Sequence, residues 1–318
     1  MTAYITRRLL FVVLVLVAVS MLVFGITVLL PGNVAYLILG QFATPEQVHV
    51  LELKLGLTDP VWLQYWRWAS GFLTGDLGVS TLMDRPIGPL LADAISRSLM
   101  LTGASFFLIV VIGLGLGIVA ALRHGRPLDH GISIGTYLGI AAPEFFWAII
   151  VIIVFAAWLG WLPSSGYEPI SSGVGNWALH LIAPTITLVL GHLAHVSRLT
   201  RSSMIEVLES PYITAARAKG LPERVVVLHH ALRNALLPTI TVLALDFGRL
   251  MGGIVVVETV FAYPGLGRLI IFSIQNRDIP TLQASILVVA AIYALANLFA
   301  DLLYARFNPK IRYGRNVG

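Results

Sequence analysis

Several ionisable residues stand inside long apolar runs, and their types and spacing could do chemistry. Asp246 and Arg249 are three positions apart in the run 238–257, so on a helix they share a face and can pair. Glu144 follows Pro143 inside another apolar run, where a broken helix can expose backbone to a cavity. Because charged groups in apolar segments mark substrate or ion pathways, we predict that Glu144, Asp246 and Arg249 line a translocation pathway. The alternative for Asp246 and Arg249 is a neutralised pair buried between helices.

The sequence has few residues that could form a catalytic or metal site. The chain has no cysteine, which excludes disulfides and thiolate metal sites. His192 and His195 can share a helix face, but a metal site needs further ligands, and no HExxH sequence is present. Ser20, Ser105 and Ser133 have no obvious histidine partner, so an intramembrane hydrolase is only an alternative. We predict no catalytic residue and no metal site.

The elements that position these residues are apolar. Of the 318 residues, 57% are hydrophobic and 12% are charged, and the mean hydropathy is +0.86. Soluble domains carry about 25% charged residues. The much lower charged fraction of this chain indicates that part of its surface contacts a lipid bilayer. We predict an all-α, polytopic membrane protein whose six transmembrane helices lie within residues 9–30, 99–122, 131–159, 178–196, 238–257 and 282–303. The first run is long enough, at about 33 Å, to be a retained span.

Charge predicts the orientation. The segments 1–8, 123–130, 198–237 and 304–318 hold 14 of the 21 lysines and arginines, and the segments on the other side hold six. Cytoplasmic loops are enriched in such residues, so both termini are expected inside. This asymmetry explains the net charge of +5 better than nucleic-acid binding, because no basic stripe is interleaved with aromatic residues.

The predicted organisation has four parts. They are a tail with the first span (1–30), a structured outer segment (31–98), a transmembrane core (99–304) and an inner tail (305–318). In the outer segment, Thr44 and Pro45 form a helix start, and residues 61–68 are aromatic and amphipathic. The aromatic stretch is either an interfacial helix or a docking surface for an external partner. Gly113, Gly115 and Gly117 are interpreted as close packing contacts of the second span.

The inner loop 198–237 differs from the rest of the chain. Ser210 and Pro211 start a short helix, with the Ser210 side chain as cap, and Gly220 ends it. Pro222 is expected to start a second helix and Pro238 to open the fifth span. Alanines within the first helix leave a flat face that another protein could approach: Ala215, Ala216 and Ala218. The alternative is an ordinary loop on the membrane surface.

This loop resembles the coupling loop of binding-protein-dependent ABC importer permeases. Thr214, Ala215 and Ala216 with Gly220 are similar to the family's EAA-x-x-x-G motif, with Thr214 in place of the glutamate. The string H-A-L-R-N-A-L-L-P at 230–238 is typical of the dipeptide, oligopeptide and nickel permease subfamily. Further strings of that subfamily follow in order at 75–78, 200–204, 258–261, 264–268, 276–278 and 301–304.

The resemblance implies a type I importer fold and a heteromeric complex in the bacterial inner membrane. Its partners would be a second homologous permease subunit, two ABC ATPase subunits that bind ATP and Mg²⁺, an extracytoplasmic solute-binding protein and membrane lipid. The residues that would contact the ATPase are Ser210, Pro211, Tyr212, Thr214, Ala215, Ala216, Arg217, Ala218, Lys219 and Gly220.

The nucleotide site itself must lie on a partner. A phosphate-binding loop needs a lysine after a glycine, and none of Lys54, Lys219 and Lys310 follows one, so this chain is expected to bind no cofactor. The alternative function is a secondary, ion-coupled transporter, which would hold its ion at broken helices. The solute is left open among dipeptides, longer peptides, opines, glutathione and nickel chelates.

Overall fold

A computed structural model describes residues 2–29, 39 and 43–307, and nearly all of them are helical. Within these residues the only strand-like pairing is an isolated bridge between Val79 and Pro86. The all-α prediction is therefore confirmed. The helices are α1 (Thr2–Leu29), α2 (Pro45–Leu55), α3 (Val61–Thr74), α4 (Ile87–Leu122), α5 (Pro127–Ala141), α6 (Glu144–Val151), α7 (Val174–Leu208), α8 (Pro211–Ala218), α9 (Leu232–Val260), α10 (Leu266–Gln275) and α11 (Ile279–Phe307).

Four helices are long and apolar enough to cross a membrane. These are α1 from Ile5, α4, α7 and α11 as far as Phe299. A fifth span is possible if α5 and α6, with the π-helical turn Ile152–Trp158, are counted as one bent element. The helix α9 has 29 residues, or about 43 Å, which is also sufficient length. The chain is a multi-pass membrane protein, and the count of six spans and the inside position of the termini stay predictions.

The predicted break in the third span is confirmed. Helix α5 ends at Ala141, and Pro143 occupies the position before the first residue of α6. The chain bends by 106° between the two helices. Proline has no N–H to donate to the helical hydrogen bonds, and it keeps the residue before it in an extended conformation. Both effects end α5. Trp147 Nε1 donates across the bend to the Gly139 carbonyl at 2.9 Å. The bend places Glu144 in the first turn of α6.

Two of the three glycines of α4 that the sequence singles out for packing, Gly113 and Gly117, pack closely as predicted. A Cβ added at Gly117 would lie 2.7 Å from the Ser197 carbonyl oxygen of α7, and one at Gly113 would lie 2.9 Å from Val196. These contacts let the backbones of α4 and α7 approach closely. A Cβ added at Gly115 would meet nothing within 4 Å, so this glycine packs against none of the described residues.

Three helices extend past the predicted spans, because an apolar run marks contact with lipid and not the end of a helix. Helix α4 starts at Ile87, twelve residues before the predicted span, and buries its first turns against α10 and α11. Pro238 lies inside α9 instead of opening it. Helix α11 continues past the predicted span end at 303 to Phe307, and its Asp301 carboxylate pairs with Arg8 of α1 at 2.9 Å.

The outer segment packs on α1. Thr44 caps α2 as predicted, in a reciprocal capping box with Gln47. In α3, the Tyr65 hydroxyl lies 2.8 Å from Ser20 Oγ, and its ring meets Phe24 edge-on at 5.5 Å. Whether α3 is interfacial or a docking surface stays a prediction.

Candidate functional site

The short inner helix α8 begins and ends where the sequence predicts. Ser210 has extended backbone, Pro211 takes the first helical position, and Gly220 follows the last turn with a φ of +75°. The Gly220 N–H donates to the Arg217 carbonyl at 2.9 Å. One detail is wrong: the Ser210 side chain caps no free N–H, because its hydroxyl donates to the Val207 carbonyl at 2.5 Å.

One face of α8 is buried on the chain itself. Ile213 is 0% exposed and Ala216, three positions later on the same face, is 8% exposed. They belong to a small apolar cluster, which we call the seat: Ala121, Met204, Ile213, Ala216, Val226, Val227, Ala231 and Ala235. The prediction of one flat exposed alanine face is therefore wrong for Ala216, whereas Ala215 and Ala218 are exposed.

The other predicted coupling residues lie on the free side of α8. Those that are exposed are Pro211, Tyr212, Thr214, Ala215, Arg217, Ala218, Lys219 and Gly220. Two polar contacts tie this helix to the chain that follows. Asn234 Nδ2 donates to the Tyr212 hydroxyl at 2.9 Å, and Arg217 makes a two-pronged contact with Glu223 at 2.7 and 3.1 Å. Hydrogen bonds from Arg217 hold the pKa of the Glu223 carboxyl below its usual value.

A turn at 219–222 separates α8 from a helix that then runs unbroken into α9. Pro222 starts a helical turn, Glu223–Val225, which continues as a π-helix over Val226–Ala231 and then as α9. Single π turns inside α-helices are rare and are frequent at functional sites. The helix that leads from this turn into α9 is therefore continuous but locally irregular.

A buried ion pair fixes the neighbouring inner turn. Asp129, at the start of α5, is fully buried, and both its oxygens accept from Arg201 of α7 at 2.5 and 2.7 Å. The Gly125 N–H also donates to it at 3.0 Å. The pair ties the turn between α4 and α5 to the helix that leads into α8. Sequence reasoning noted Arg201 only as part of a family string and missed its partner, 72 positions away.

In the membrane region, Asp246 and Arg249 pair as the sequence predicts. Arg249 Nη1 donates to Asp246 Oδ1 at 3.3 Å, and the other Asp246 oxygen lies 3.2 Å from His195 Nδ1 of α7. The two partners differ in exposure. The Asp246 side chain is 2% exposed and that of Arg249 is 60% exposed.

Glu144 meets the same two helices. Its carboxylate lies 3.5 Å from His192 Nε2 of α7. The Glu144 carboxylate also packs against the backbone of α9 at Gly253, in the space that a side chain there would fill. A Cβ added at Gly253 would be 2.5 Å from Glu144 Oε1. His192 and His195 thus serve two different carboxylates. Among the described residues no group of three or more side chains could hold a metal ion.

Ser133 is the centre of a G-x-S-x-G string at 131–135. In hydrolases this string places a serine on a sharp turn between a strand and a helix. Here the string lies inside α5, so the serine has no such exposed turn. The arrangement does not support an intramembrane hydrolase.

Comparison with known families decides between an ABC importer permease and a secondary transporter. The model of the binding-protein-dependent transport system inner membrane component matches residues 113–313, and the model of the N-terminal part of such components matches residues 1–86. This chain belongs to that family. It is a permease of the peptide-type ABC importers, a membrane subunit without an ATPase site, and the predicted resemblance is confirmed.

Relatives of this permease match nearly its whole length. It is 38% identical over 313 residues to the probable peptide ABC transporter permease protein y4tP of Sinorhizobium fredii, covering 98% of this chain and 100% of that one. It is 39% identical over 333 residues to the dipeptide transport system permease protein DppB of Alkalihalophilus pseudofirmus, with the same coverage. It is 40% identical over 313 residues to the glutathione transport system permease protein GsiC of Escherichia coli K12, again with the same coverage.

Solved structures share the permease fold. An inward-facing MetNI methionine ABC transporter aligns with a TM-score of 0.56 at 19% identity, over 69% of this chain and 96% of that one. An amino acid ABC transporter with histidines aligns with a TM-score of 0.52 at 16% identity, over 69% and 94%. The predicted type I importer fold is thus confirmed.

The permease also has two anchored carboxylates at the predicted outer side, which sequence reasoning missed. Glu258 is fully buried and accepts from Ser98 Oγ at 2.5 Å and from the Gly267 N–H at 2.7 Å. Gly265 leaves room for it, since a Cβ there would lie 2.0 Å from Glu258 Oε1. Asp278 is likewise buried and accepts from the Ser80 hydroxyl at 2.5 Å. The Glu258 contacts join α9 to α4 and to the start of α10, and the Asp278 contact joins the start of α11 to the outer segment. They give a physical reason for the strings at 258–268 and 276–278.

Proposed function

We propose that this permease forms half of a translocation pathway for peptides or related small solutes across the bacterial inner membrane. A second, homologous permease subunit forms the other half, and an extracytoplasmic binding protein delivers the solute. Two ABC ATPase subunits supply the drive by binding ATP and Mg²⁺. Relatives named as peptide, dipeptide and glutathione permeases over the full length support this solute class.

The observation that carries the proposal is the two-sided arrangement of α8. One face, with Ile213 and Ala216, is buried in the seat, and the opposite face, with Ala215 and Ala218, is exposed. A helix of eight residues is too short to be stable alone in water, so the seat must hold it. A partner that contacts the exposed face would therefore move the seat as well.

The seat connects α8 to the pathway candidates. It includes Val226 and Ala231 at the two ends of the π turn, and α9 begins at the next residue. Asp246 and Arg249 lie four turns further along α9. Closure of the ATPase subunits would push α8, tilt α9 and change the opening of the pathway, as in other rigid-body transitions.

Substitutions on the exposed face test this proposal. Ala215→Glu and Ala218→Glu would each bury an unpaired carboxylate in the partner's groove, at a cost on the order of 3 kcal/mol. That cost corresponds to about a hundredfold weaker docking. In the complex purified through a tag on this chain, we expect loss of the ATPase subunits and of uptake, with insertion of the permease unchanged.

The control is Ala92→Glu, a matched change at an exposed alanine of α4 on the predicted outer side. It should retain the ATPase subunits. Normal retention and normal uptake by both α8 variants would contradict the coupling role of this face.

A further inference from the structure

One face of α9 is left uncovered by the rest of the chain. Arg249, Gly252, Val256 and Thr259 recur at helical spacing and are all exposed. The opposite face is buried: Asp246, Leu250, Ile254 and Val257. A guanidinium facing lipid at mid-membrane costs about 2.5–3.5 kcal/mol even on insertion scales. The uncovered face of α9 therefore belongs against an aqueous pathway and not against lipid.

Arg249 is anchored at one edge and free at the other. Its Nη1 contacts Asp246, whose second oxygen is already shared with His195. No other partner of Arg249 lies among the residues that the structure describes. A guanidinium has five N–H donors in a planar fork, so the outer edge of this one can accept a carboxylate in a two-pronged contact.

A carboxylate stands one turn away on the same side of α9. Glu144 fills the notch at Gly253, with its oxygens 2.5 and 2.6 Å from the Cβ position. Gly253 is four residues after Arg249, so the two Cβ positions are about 5–6 Å apart on one face. The Glu144 side chain is 23% exposed, and His192 is its other neighbour at 3.5 Å. A cation and an anion thus stand side by side on the uncovered face, each with a free edge.

We propose that Arg249 and Glu144 form a two-ended site for a zwitterionic peptide of about two residues. Arg249 takes the carboxylate end and Glu144 takes the ammonium end. An extended dipeptide spans at most about 7 Å, and the flexible Arg249 side chain lengthens the spacing on α9 to match. A longer peptide can engage only one end at a time. This inference rests on the proposed function and narrows its solute class to short peptides with free termini.

Uptake of chemically blocked peptides tests the site. The reconstituted complex, with its binding protein and internal ATP, would be offered dialanine, dialanine amide, N-acetyl-dialanine and tetraalanine. We expect Arg249→Gln to lower the preference for dialanine over the amide at least tenfold, because only the free carboxylate pairs with the guanidinium. Glu144→Gln should lower the preference for dialanine over the N-acetyl form by a similar factor.

The preference ratio isolates the permease, because the same binding protein serves every variant. Arg126→Gln, a matched change at an exposed arginine at the start of α5, should keep the wild-type ratios. If Arg249→Gln does not assemble, Arg249→Lys keeps a charge beside Asp246 and should show an intermediate loss, since an ammonium cannot make the two-pronged contact.

Two results would overturn the inference while leaving the proposed function intact. One is uptake by the variants with unchanged preference ratios. The other is a wild-type complex that carries tetraalanine but not dialanine. A wild-type complex that carries none of these peptides would instead contradict the peptide part of the proposed function, and the two-ended site with it.

Discussion

Replacing Ile213 by alanine should loosen α8 from its seat without touching the exposed face. The Ile213 side chain is fully buried in the seat, beside Met204 and Val226. Truncating a buried isoleucine to alanine typically costs about 2–5 kcal/mol, from lost burial and the cavity left behind. Because α8 depends on this packing, we assign that cost to its docking. Even about 2 kcal/mol would raise the detached fraction of α8 about thirtyfold.

Two measurements on the purified complex check this prediction. Hydrogen exchange of the amides of α8 should accelerate by at least about thirtyfold. Solute carried per ATP hydrolysed should fall, because the ATPase subunits would still contact α8 but move a loose helix. The control is Ile87→Ala, the same truncation of a fully buried isoleucine at the outer start of α4, away from the seat. It should leave hydrogen exchange of the α8 amides unchanged.

Either of two results would refute this reasoning. Unchanged hydrogen exchange in Ile213→Ala would mean that the seat does not hold α8. Faster exchange with normal solute carried per ATP would mean that the seat holds α8 but does not transmit its movement.

Three further substitutions test the packing that supports the sites. Asp129→Asn should cost about 1.5–3 kcal/mol, because it weakens the charge-assisted hydrogen bonds from the partly exposed Arg201 guanidinium; thermal unfolding in detergent measures the loss, and an unchanged unfolding temperature would contradict it. Gly265→Ala should make the outer segment more sensitive to protease, since the new Cβ would lie 2.0 Å from a Glu258 oxygen; an unchanged digest would contradict this. Gly117→Ala should destabilise the permease by about 1–3 kcal/mol, whereas the matched Gly115→Ala should be neutral, and equal unfolding temperatures would refute the helix contact.

Features set by local chemistry could be predicted from the sequence. The break at Pro143 and the ends of α8 depend on proline and glycine, which act on their immediate neighbours. The pairing of Asp246 with Arg249 could also be predicted, because a spacing of three residues within one helix places both side chains on the same face. The family followed from strings of residues in order.

Features set by packing could not be predicted. Which face of α8 is buried depends on Val226 and Met204, which no local pattern links to Ile213. The partners of Asp129 and Glu258 lie in distant helices, so neither carboxylate stood out. Helix α4 starts before the predicted span because its first turns pack on protein and need no apolar run.

The central claim is that the movement of the ATPase subunits reaches this chain through the exposed face of α8. Because the natural chain has no cysteine, a single cysteine at a chosen position can carry a short thiol-linked photo-crosslinker. We predict that Ala215→Cys in the assembled complex forms an adduct with an ATPase subunit, and that Ala216→Cys, on the seat side, and Ala92→Cys, on the outer side, do not. No adduct from Ala215→Cys, or equal adducts from all three positions, would contradict the claim.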